Sequence, residues 1–151
     1  MADISIHSKF SNLLELLIEA ESESGGQAFK TFRDVVKFAS VLGMRGEIRV
    51  DSDNKGRLIP FRVFENSKDH ELIWLIALVE TKDVDILRRD EYKDNETEAV
   101  GIFQGYANGG LEVIWAWLES KAPSEYFDVI LEKISESLSA EIQVEDAPIR
   151  F

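Results

Sequence analysis

The chain contains no cysteine and no long apolar run. Without cysteine it can form no disulfide bond, thiol nucleophile or cysteine-ligated zinc site. The longest apolar run, Leu72–Val79, has eight residues, whereas a membrane-spanning helix needs roughly 18–20. The N-terminal sequence MADISIHSKF has no basic region followed by an apolar block, so no secretory signal is predicted. We therefore expect a cytoplasmic protein with no membrane contact.

The composition is that of one folded domain. The 151 residues are 44% hydrophobic and 30% charged, which suits a chain that buries a hydrophobic core. We predict a single domain over residues 1–151. Within it, residues 1–28 form an N-terminal helix and an acidic break, and residues 139–151 form a loosely ordered tail.

Charge is distributed unevenly along the chain. The net charge is −12, yet residues 30–68 hold nine basic and five acidic side chains, a local net charge of +4. The remainder therefore carries −16, and most of the surface should repel nucleic acid. Such asymmetry indicates either a local nucleic-acid contact or an acidic partner for the basic segment.

Apolar periodicity predicts a mainly α-helical fold of about five to six helices. The helices are expected over 8–20, 29–42, a stretch capped by Asn66 or Ser67 and reaching Val79, a short helix after Asp83, and then 96–107, 110–121 and 123–138. Gly43 is expected to end the second helix, and Asn108–Gly110 to separate two later ones. Because Leu72–Val79 is apolar on nearly every side, its helix is expected at the centre of the domain.

Residues 44–66 have a different composition. Glu47–Val50 and Leu58–Phe64 are β-like and flank the polar turn Asp51–Gly56, so a small hairpin or two extended arms are predicted there. Pro60 favours an edge position. The charge-rich segment 88–97 is expected to be an exposed loop.

No catalytic constellation is evident. His7 and His70 have no matched partner residue, and the carboxylates at Asp83 and Asp85, or at Asp90, Glu91 and Asp94, lack the spacing of a calcium loop. Gly105, Gly109 and Gly110 fit a tight helix–helix turn better than a phosphate-binding loop. We predict no metal, no cofactor and no enzymatic activity.

The basic segment is the strongest candidate site. Arg33 and Lys37 are four residues apart on one predicted helix face, and further cations follow them. The candidate contacts to DNA or to an acidic partner are Lys30, Arg33, Lys37, Arg45, Arg49, Arg57 and Arg62. An equally good interpretation is that these cations pair with acidic residues within the fold or across a homo-oligomer. Trp115 and Trp117 point to different faces, one to the core and the other towards a partner.

Four stretches carry a resemblance to a known family. FKTFRDVVKFASVLGMRG (29–46), IPFRVFEN (59–66), LIWLIALVETKDVDIL (72–87) and YANGGLEVIWAWLE (106–119) resemble the Dnd-system-associated proteins, small proteins encoded beside the genes for DNA phosphorothioation. The resemblance implies a bacterial system that replaces a non-bridging phosphate oxygen with sulfur, or that restricts unmodified DNA. It provides no catalytic residue to transfer to this chain.

The resemblance narrows the function to that of an accessory protein. A chain without cysteine cannot carry the sulfur, and one without a nucleotide-hydrolysis motif is not expected to be the motor. We expect a non-enzymatic regulatory protein that contacts other components of a DNA modification–restriction system and, through the basic segment, the DNA backbone. Two alternatives stay open: an acidic decoy that inhibits a basic DNA-binding partner, and a carboxylate–metal nuclease.

Overall fold

The computed structural model describes residues 2–20, 27–90 and 93–145, and within them the chain is mainly α-helical, as predicted. The α-helices are α1 (Ser11–Glu19), α2 (Phe32–Gly46), α3 (Phe61–Asn66), α4 (His70–Thr81), α5 (Glu96–Leu118) and α6 (Tyr126–Glu145). Short 3₁₀ helices cover Ser8–Phe10, Val84–Leu87 and Pro123–Glu125. The strands form two antiparallel pairs, β1 (Asp3–Ser5) with β2 (Leu58–Pro60) and β3 (Arg89–Asp90) with β4 (Lys93–Asp94).

Helix α5 is the centre of the domain and crosses α2 at very close range. Small residues make this approach possible. A Cβ atom on Gly110 would lie 1.7 Å from the Ala39 carbonyl oxygen, and one on Gly43 would lie 2.1 Å from the Tyr106 carbonyl oxygen. Because both obstacles are backbone atoms, no side-chain movement could relieve the clash. Gly43 and Gly110 are therefore packing residues of the α2–α5 crossing.

The N-terminal strand β1 is held from two sides. On one side it pairs with β2, with Ile4 opposite Ile59, and both of these side chains are buried. On the other side, polar residues of α5 replace a neighbouring strand. Gln104 Oε1 accepts from the Ser5 N–H at 2.7 Å, and the buried Asn108 accepts from the His7 N–H at 2.8 Å and donates to the Ser5 carbonyl oxygen at 3.1 Å. These bonds satisfy backbone groups that would otherwise be buried without a partner.

Of the two alternatives predicted for residues 44–66, the hairpin is wrong, whereas an extended element is present as the short strand β2. Helix α2 does not end at Gly43 but continues to Gly46, and Glu47 ends it in the left-handed conformation with a φ of 55°. Residues 48–50 then pack as irregular chain, with the Val50 N–H donating to the Gly105 carbonyl oxygen at 3.0 Å. Strand β2 pairs with distant β1 rather than with its neighbour, and Phe61–Asn66 is helical.

The later helices also differ from their predicted bounds. Helix α4 begins at His70 with Asp69 at its N-cap position, so neither Asn66 nor Ser67 caps it, and Ser67 Oγ lies 3.0 and 3.2 Å from carbonyl oxygens of α3. Residues 96–118 form one continuous helix, so the break predicted at Asn108–Gly110 is wrong. The predicted loop 88–97 includes β3, β4 and the first residues of α5.

Two further helical predictions can be compared with the structure. The short helix predicted after Asp83 is confirmed as a 3₁₀ helix. Helix α6 extends seven residues past the predicted end at Leu138, to Glu145, whereas the acidic break at 21–26 and the tail beyond 145 lie outside the described residues. Over the described ranges, none of the helices has the length and apolarity needed to cross a membrane.

Candidate interaction surfaces

The seven predicted basic residues do not form one surface. Lys30 precedes the first turn of α2, which contains Arg33, while Arg45 lies in its last turn. At 1.5 Å per residue, Arg33 and Arg45 are about 18 Å apart along the helix axis. The basic segment is thus divided into a group near the start of α2 and a pair, Arg45 and Arg49, near its end.

The group at the start of α2 surrounds a groove, which we call the basic groove. Arg33, Arg57 and Phe32 line a cavity of about 260 Å³ between the first turn of α2 and the segment 57–63. The Arg57 guanidinium lies 3.7 Å from the centre of the Phe32 ring, a cation–π contact. Lys30 and Arg62 are exposed chain neighbours of lining residues, and neither makes an ion pair with any residue that the structure describes.

Arg33 and Lys37 also hold α2 against the start of α4. Lys37 Nζ donates to Asp69 Oδ1 at 2.9 Å, and Arg33 Nε lies 3.1 Å from Asp69 Oδ2. Ser67 Oγ donates to the same carboxylate at 2.7 Å. The hydrogen bond from Lys37, followed by that from Ser67, holds the pKa of Asp69 below its ordinary value. These two cations are therefore partly committed to the fold.

Arg49 belongs to a second cluster, between α4 and α5. Its guanidinium lies 3.5 Å from Glu80 Oε1 and 5.4 Å from the centre of the Tyr106 ring. The Tyr106 hydroxyl donates to the other Glu80 oxygen, and this bond raises the pKa of Tyr106. Arg45 lines a small apolar cavity with Trp117 and Leu138, between α2 and α6. Arg45 and Arg49 therefore lie in separate surroundings, and neither lines the basic groove.

A surface that the sequence did not predict lies on α4 and the following 3₁₀ helix. We call it the 75–87 surface and define it by Leu75, Val79, Val84 and Leu87. Their side chains are 56%, 49%, 75% and 42% exposed. Leu75 and Val79 are one helical turn apart, and Val84 and Leu87 are one 3₁₀ turn apart, so each pair shares a face. The expectation that this helix lies at the centre of the domain is therefore wrong, since Leu75 and Val79 are exposed and the core side of α4 is formed by Ile73, Trp74, Ile76 and Ala77.

Two cavities lie beside the 3₁₀ helix Val84–Leu87. One, of about 350 Å³, is lined by the apolar side chains of Trp74, Leu75, Leu78 and Leu87 and by the polar ones of His70, Glu71 and Arg89. The other, of about 150 Å³, is lined by the carboxylates of Asp83, Asp85 and Glu98 together with Thr81 and Asn95. The 3₁₀ helix Val84–Leu87 contributes to both cavities.

The two tryptophans differ in exposure. Trp115 is 42% exposed, with its ring centre 5.7 Å from that of Phe10, while Trp117 is partly buried and packs against the core. Among the described side chains, no three His, Asp or Glu residues are grouped so as to hold a metal ion. Glu91 of the 90–94 set lies outside those residues.

Fold and surfaces together define a small, acidic, mainly α-helical domain with an exposed apolar surface and a separate basic groove. The sequence matches the family described as DNA sulphur modification system-associated protein 4 over residues 4–149, and the chain belongs to that family. The resemblance identified from sequence is thereby confirmed, and the family description associates its members with a DNA sulphur modification system. No curated protein and no solved structure matches the chain.

Proposed function

We propose that this protein is a non-enzymatic accessory component of a DNA sulphur modification system and acts by binding another protein of that system. The observation that carries the proposal is the 75–87 surface, where four large aliphatic side chains are exposed together. Clustered apolar exposure of this kind is typical of protein–protein interfaces. Family membership supports a partner from the same DNA sulphur modification system.

Burial of the 75–87 surface by a partner would be favoured by the hydrophobic effect. Fully burying a Leu or Val side chain is worth about 1.5–3 kcal/mol, so removing the remaining exposed area of these half-exposed residues is worth about 1 kcal/mol each. Four such residues make a small central anchor, around which a polar rim completes an interface. Substitutions at these four exposed positions leave the buried face of α4 unchanged. The proposed interface can therefore be altered without disturbing the core.

The test is co-purification of the tagged protein from its native cell, with and without nuclease. The variant Leu75→Asp/Leu87→Asp places two charges in the centre of the surface. The matched control is Leu131→Asp/Leu138→Asp, two leucines of α6 that are 47% and 50% exposed. We expect a component of the system to co-purify after nuclease treatment with the wild type and the control but not with the first variant. Loss of the component with the α6 variant alone would place the interface elsewhere and contradict the proposal.

A second candidate function is a local contact with the DNA backbone through the basic groove. Its support is geometric: Arg33 and Arg57 line one cavity, and the exposed Lys30 and Arg62 flank it. Cations arranged in this way can neutralise adjacent phosphates, and each neutralised phosphate adds to the salt dependence of binding. Arg45 and Arg49 lie near the other end of α2 and are not included in this contact.

Charge reversal tests the DNA contact. Arg57→Glu/Arg62→Glu should weaken binding of duplex DNA by the protein, alone or with its partner, and reduce the salt slope by about two. Lys121→Glu/Lys133→Glu changes the net charge equally at positions outside the basic segment and serves as the control. Equal weakening by both variants would show a general charge effect and would refute a specific contact at the groove.

A further inference from the structure

The basic groove contains an aromatic ring covered by a cation, which a contact with DNA phosphates alone does not require. We infer that the groove binds unpaired nucleotides of single-stranded DNA, with one base stacked on the Arg57 guanidinium and the flanking phosphates near Lys30 and Arg62. This inference rests on the second candidate function, because it specifies the form of DNA that the same groove takes. Duplex DNA can contact the same cations, but its bases are stacked inside the helix and do not enter the groove.

The first step is the pairing of Arg57 with Phe32. The Arg57 Cζ atom lies 3.7 Å from the centre of the Phe32 ring, whereas the other cation–ring distances among the described residues are 5.0 Å or longer. Because 3.7 Å is van der Waals contact between carbon atoms, the guanidinium lies over the ring face. Arg57 is exposed and lines the groove, so the side of its guanidinium away from the ring is accessible. Nucleic-acid bases stack on guanidinium planes of this kind.

The second step is that Arg57 is held in place without being neutralised. Over the part of the chain that the structure describes, Arg57 makes no ion pair. Its backbone immediately precedes β2, and its carbonyl oxygen accepts from the Ile6 N–H at 2.9 Å. Since the backbone is anchored and the side chain already packs on Phe32, little conformational freedom is lost when a base stacks on it.

The third step is the chemistry of the remaining lining. Ile59, Pro60 and Val63 provide apolar wall, and none of the described residues that line this groove is acidic. An unpaired nucleotide has an apolar base face and an anionic phosphate, and it therefore matches both the apolar wall and the cations. In a duplex the base faces are covered by neighbouring pairs, so the apolar part of the groove would have no counterpart.

The acids near the groove explain why recognition centres on Arg57. Arg33 also lines the groove, but its Nε lies 3.1 Å from Asp69 Oδ2, so its charge is partly neutralised. Asp34 and Glu65 are near lining residues in the chain but do not line the groove themselves. An acidic peptide would be attracted by the cations alone and would gain nothing from the stacked guanidinium. The Phe32–Arg57 pair therefore favours a nucleotide over an acidic peptide.

The experiment measures binding to the full-length protein by fluorescence anisotropy at about 0.05 M salt. The probes are an oligothymidylate of about ten nucleotides, an abasic strand of the same length and a duplex of the same length. The test variant is Arg57→Lys, which keeps the charge and removes the planar group. The matched control is Arg62→Lys, the same change at an exposed arginine for which the structure gives no contact with an aromatic ring among the described residues.

We expect oligothymidylate to bind about tenfold more tightly than the abasic strand and more tightly than the duplex, because only its bases can stack. Arg57→Lys should raise the Kd for oligothymidylate about tenfold and change the Kd for the abasic strand less than about twofold. Arg62→Lys should change both constants less than about twofold. Thermal unfolding of each variant checks the fold.

The two levels of the proposal fail in different ways. If oligothymidylate and the abasic strand bind equally, if the duplex binds most tightly, or if Arg57→Lys has no effect, the inference is wrong and the contact with the DNA backbone stands. If none of the three probes binds, the second candidate function fails and the inference with it. Binding of polyglutamate in place of every oligonucleotide would assign the groove to an acidic protein and would overturn both.

Discussion

Helices α4 and α5 are both rich in apolar residues, yet they have opposite positions in the fold. Helix α5 is buried along most of its length, including Asn108 and both adjacent glycines, whereas α4 leaves Leu75 and Val79 exposed. The difference lies in side-chain size. Glycine and alanine let α5 approach α2 until backbone atoms nearly touch, while the large side chains of α4 cover the core on one face only. Helix α5 thus packs at the centre of the fold, whereas α4 presents the exposed surface that we propose binds a partner.

The largest effect is expected where the backbones of α2 and α5 are closest. Gly110→Ala places a methyl group 1.7 Å from the Ala39 carbonyl oxygen, and the helices must separate to admit it. We expect a loss of about 4 kcal/mol or more in the free energy of unfolding, measured by denaturant titration, because overpacking against backbone cannot be relieved by a rotamer change.

The matched control is Gly101→Ala in the same helix. Gly101 is exposed, and a Cβ there would meet nothing within 4 Å. Alanine should stabilise the protein by about 0.5–1 kcal/mol through helix propensity. If both alanines had the same effect, close packing would not be the reason for the glycines of α5.

A smaller loss is expected from Asn108→Ala. The substitution removes the partners of the His7 N–H and the Ser5 carbonyl oxygen, both of which lie beside β1. Unsatisfied buried groups cost about 1–3 kcal/mol each, so we expect a loss of about 2–3 kcal/mol in unfolding free energy. Hydrogen exchange at residues 3–7 should rise more than exchange in α4. Uniform exchange throughout the chain would argue against a local role for Asn108.

The smallest effect concerns the attachment of α4 to α2. Asp69→Asn weakens the contacts with Lys37 and Arg33 and should cost about 1 kcal/mol at pH 7. Since the pKa of Asp69 is lowered in the fold, its stabilising contribution is present above the ordinary value of 3.8 and is lost as the pH falls below it through the folded pKa. The stability difference between wild type and variant should therefore shrink below about pH 4.

Ser67→Ala is the control for that pH dependence, because it removes one donor to Asp69 and leaves both cations in place. We expect a smaller loss with a similar but weaker pH profile. A difference between wild type and Asp69→Asn that stays constant from pH 7 to pH 2 would show that the carboxylate charge does not stabilise this attachment.

Much of the helical content could be predicted from the sequence, because α1, α2 and α6 each show a regular apolar stripe. The β1–β2 pair could not be predicted, since its two strands are more than 50 residues apart and three residues are too few to show an alternating pattern. At Asn108–Gly110 the local preference for a break, worth about 1 kcal/mol per glycine, is outweighed by tertiary packing.

The candidate sites were predictable only in part. Segregated charge pointed to the basic residues, and five of the seven lie near the start of α2 or around the basic groove. Arg45 and Arg49 are separated from the other five by the length of α2. The sequence did not predict this full length, because Gly43 suggested an earlier end to the helix. Exposure of Leu75 and Val79 has no sequence signal of its own, because a run of apolar residues looks alike whether one face or all faces are buried.

The central claim is that the 75–87 surface contacts another protein of the system. The most direct test is hydrogen–deuterium exchange of the chain alone and in complex with the component that co-purifies with it. We predict that amides of residues 70–87 become protected on binding while those of α6 are unchanged. Protection confined to α6 or to the basic groove, with 70–87 unchanged, would contradict this account.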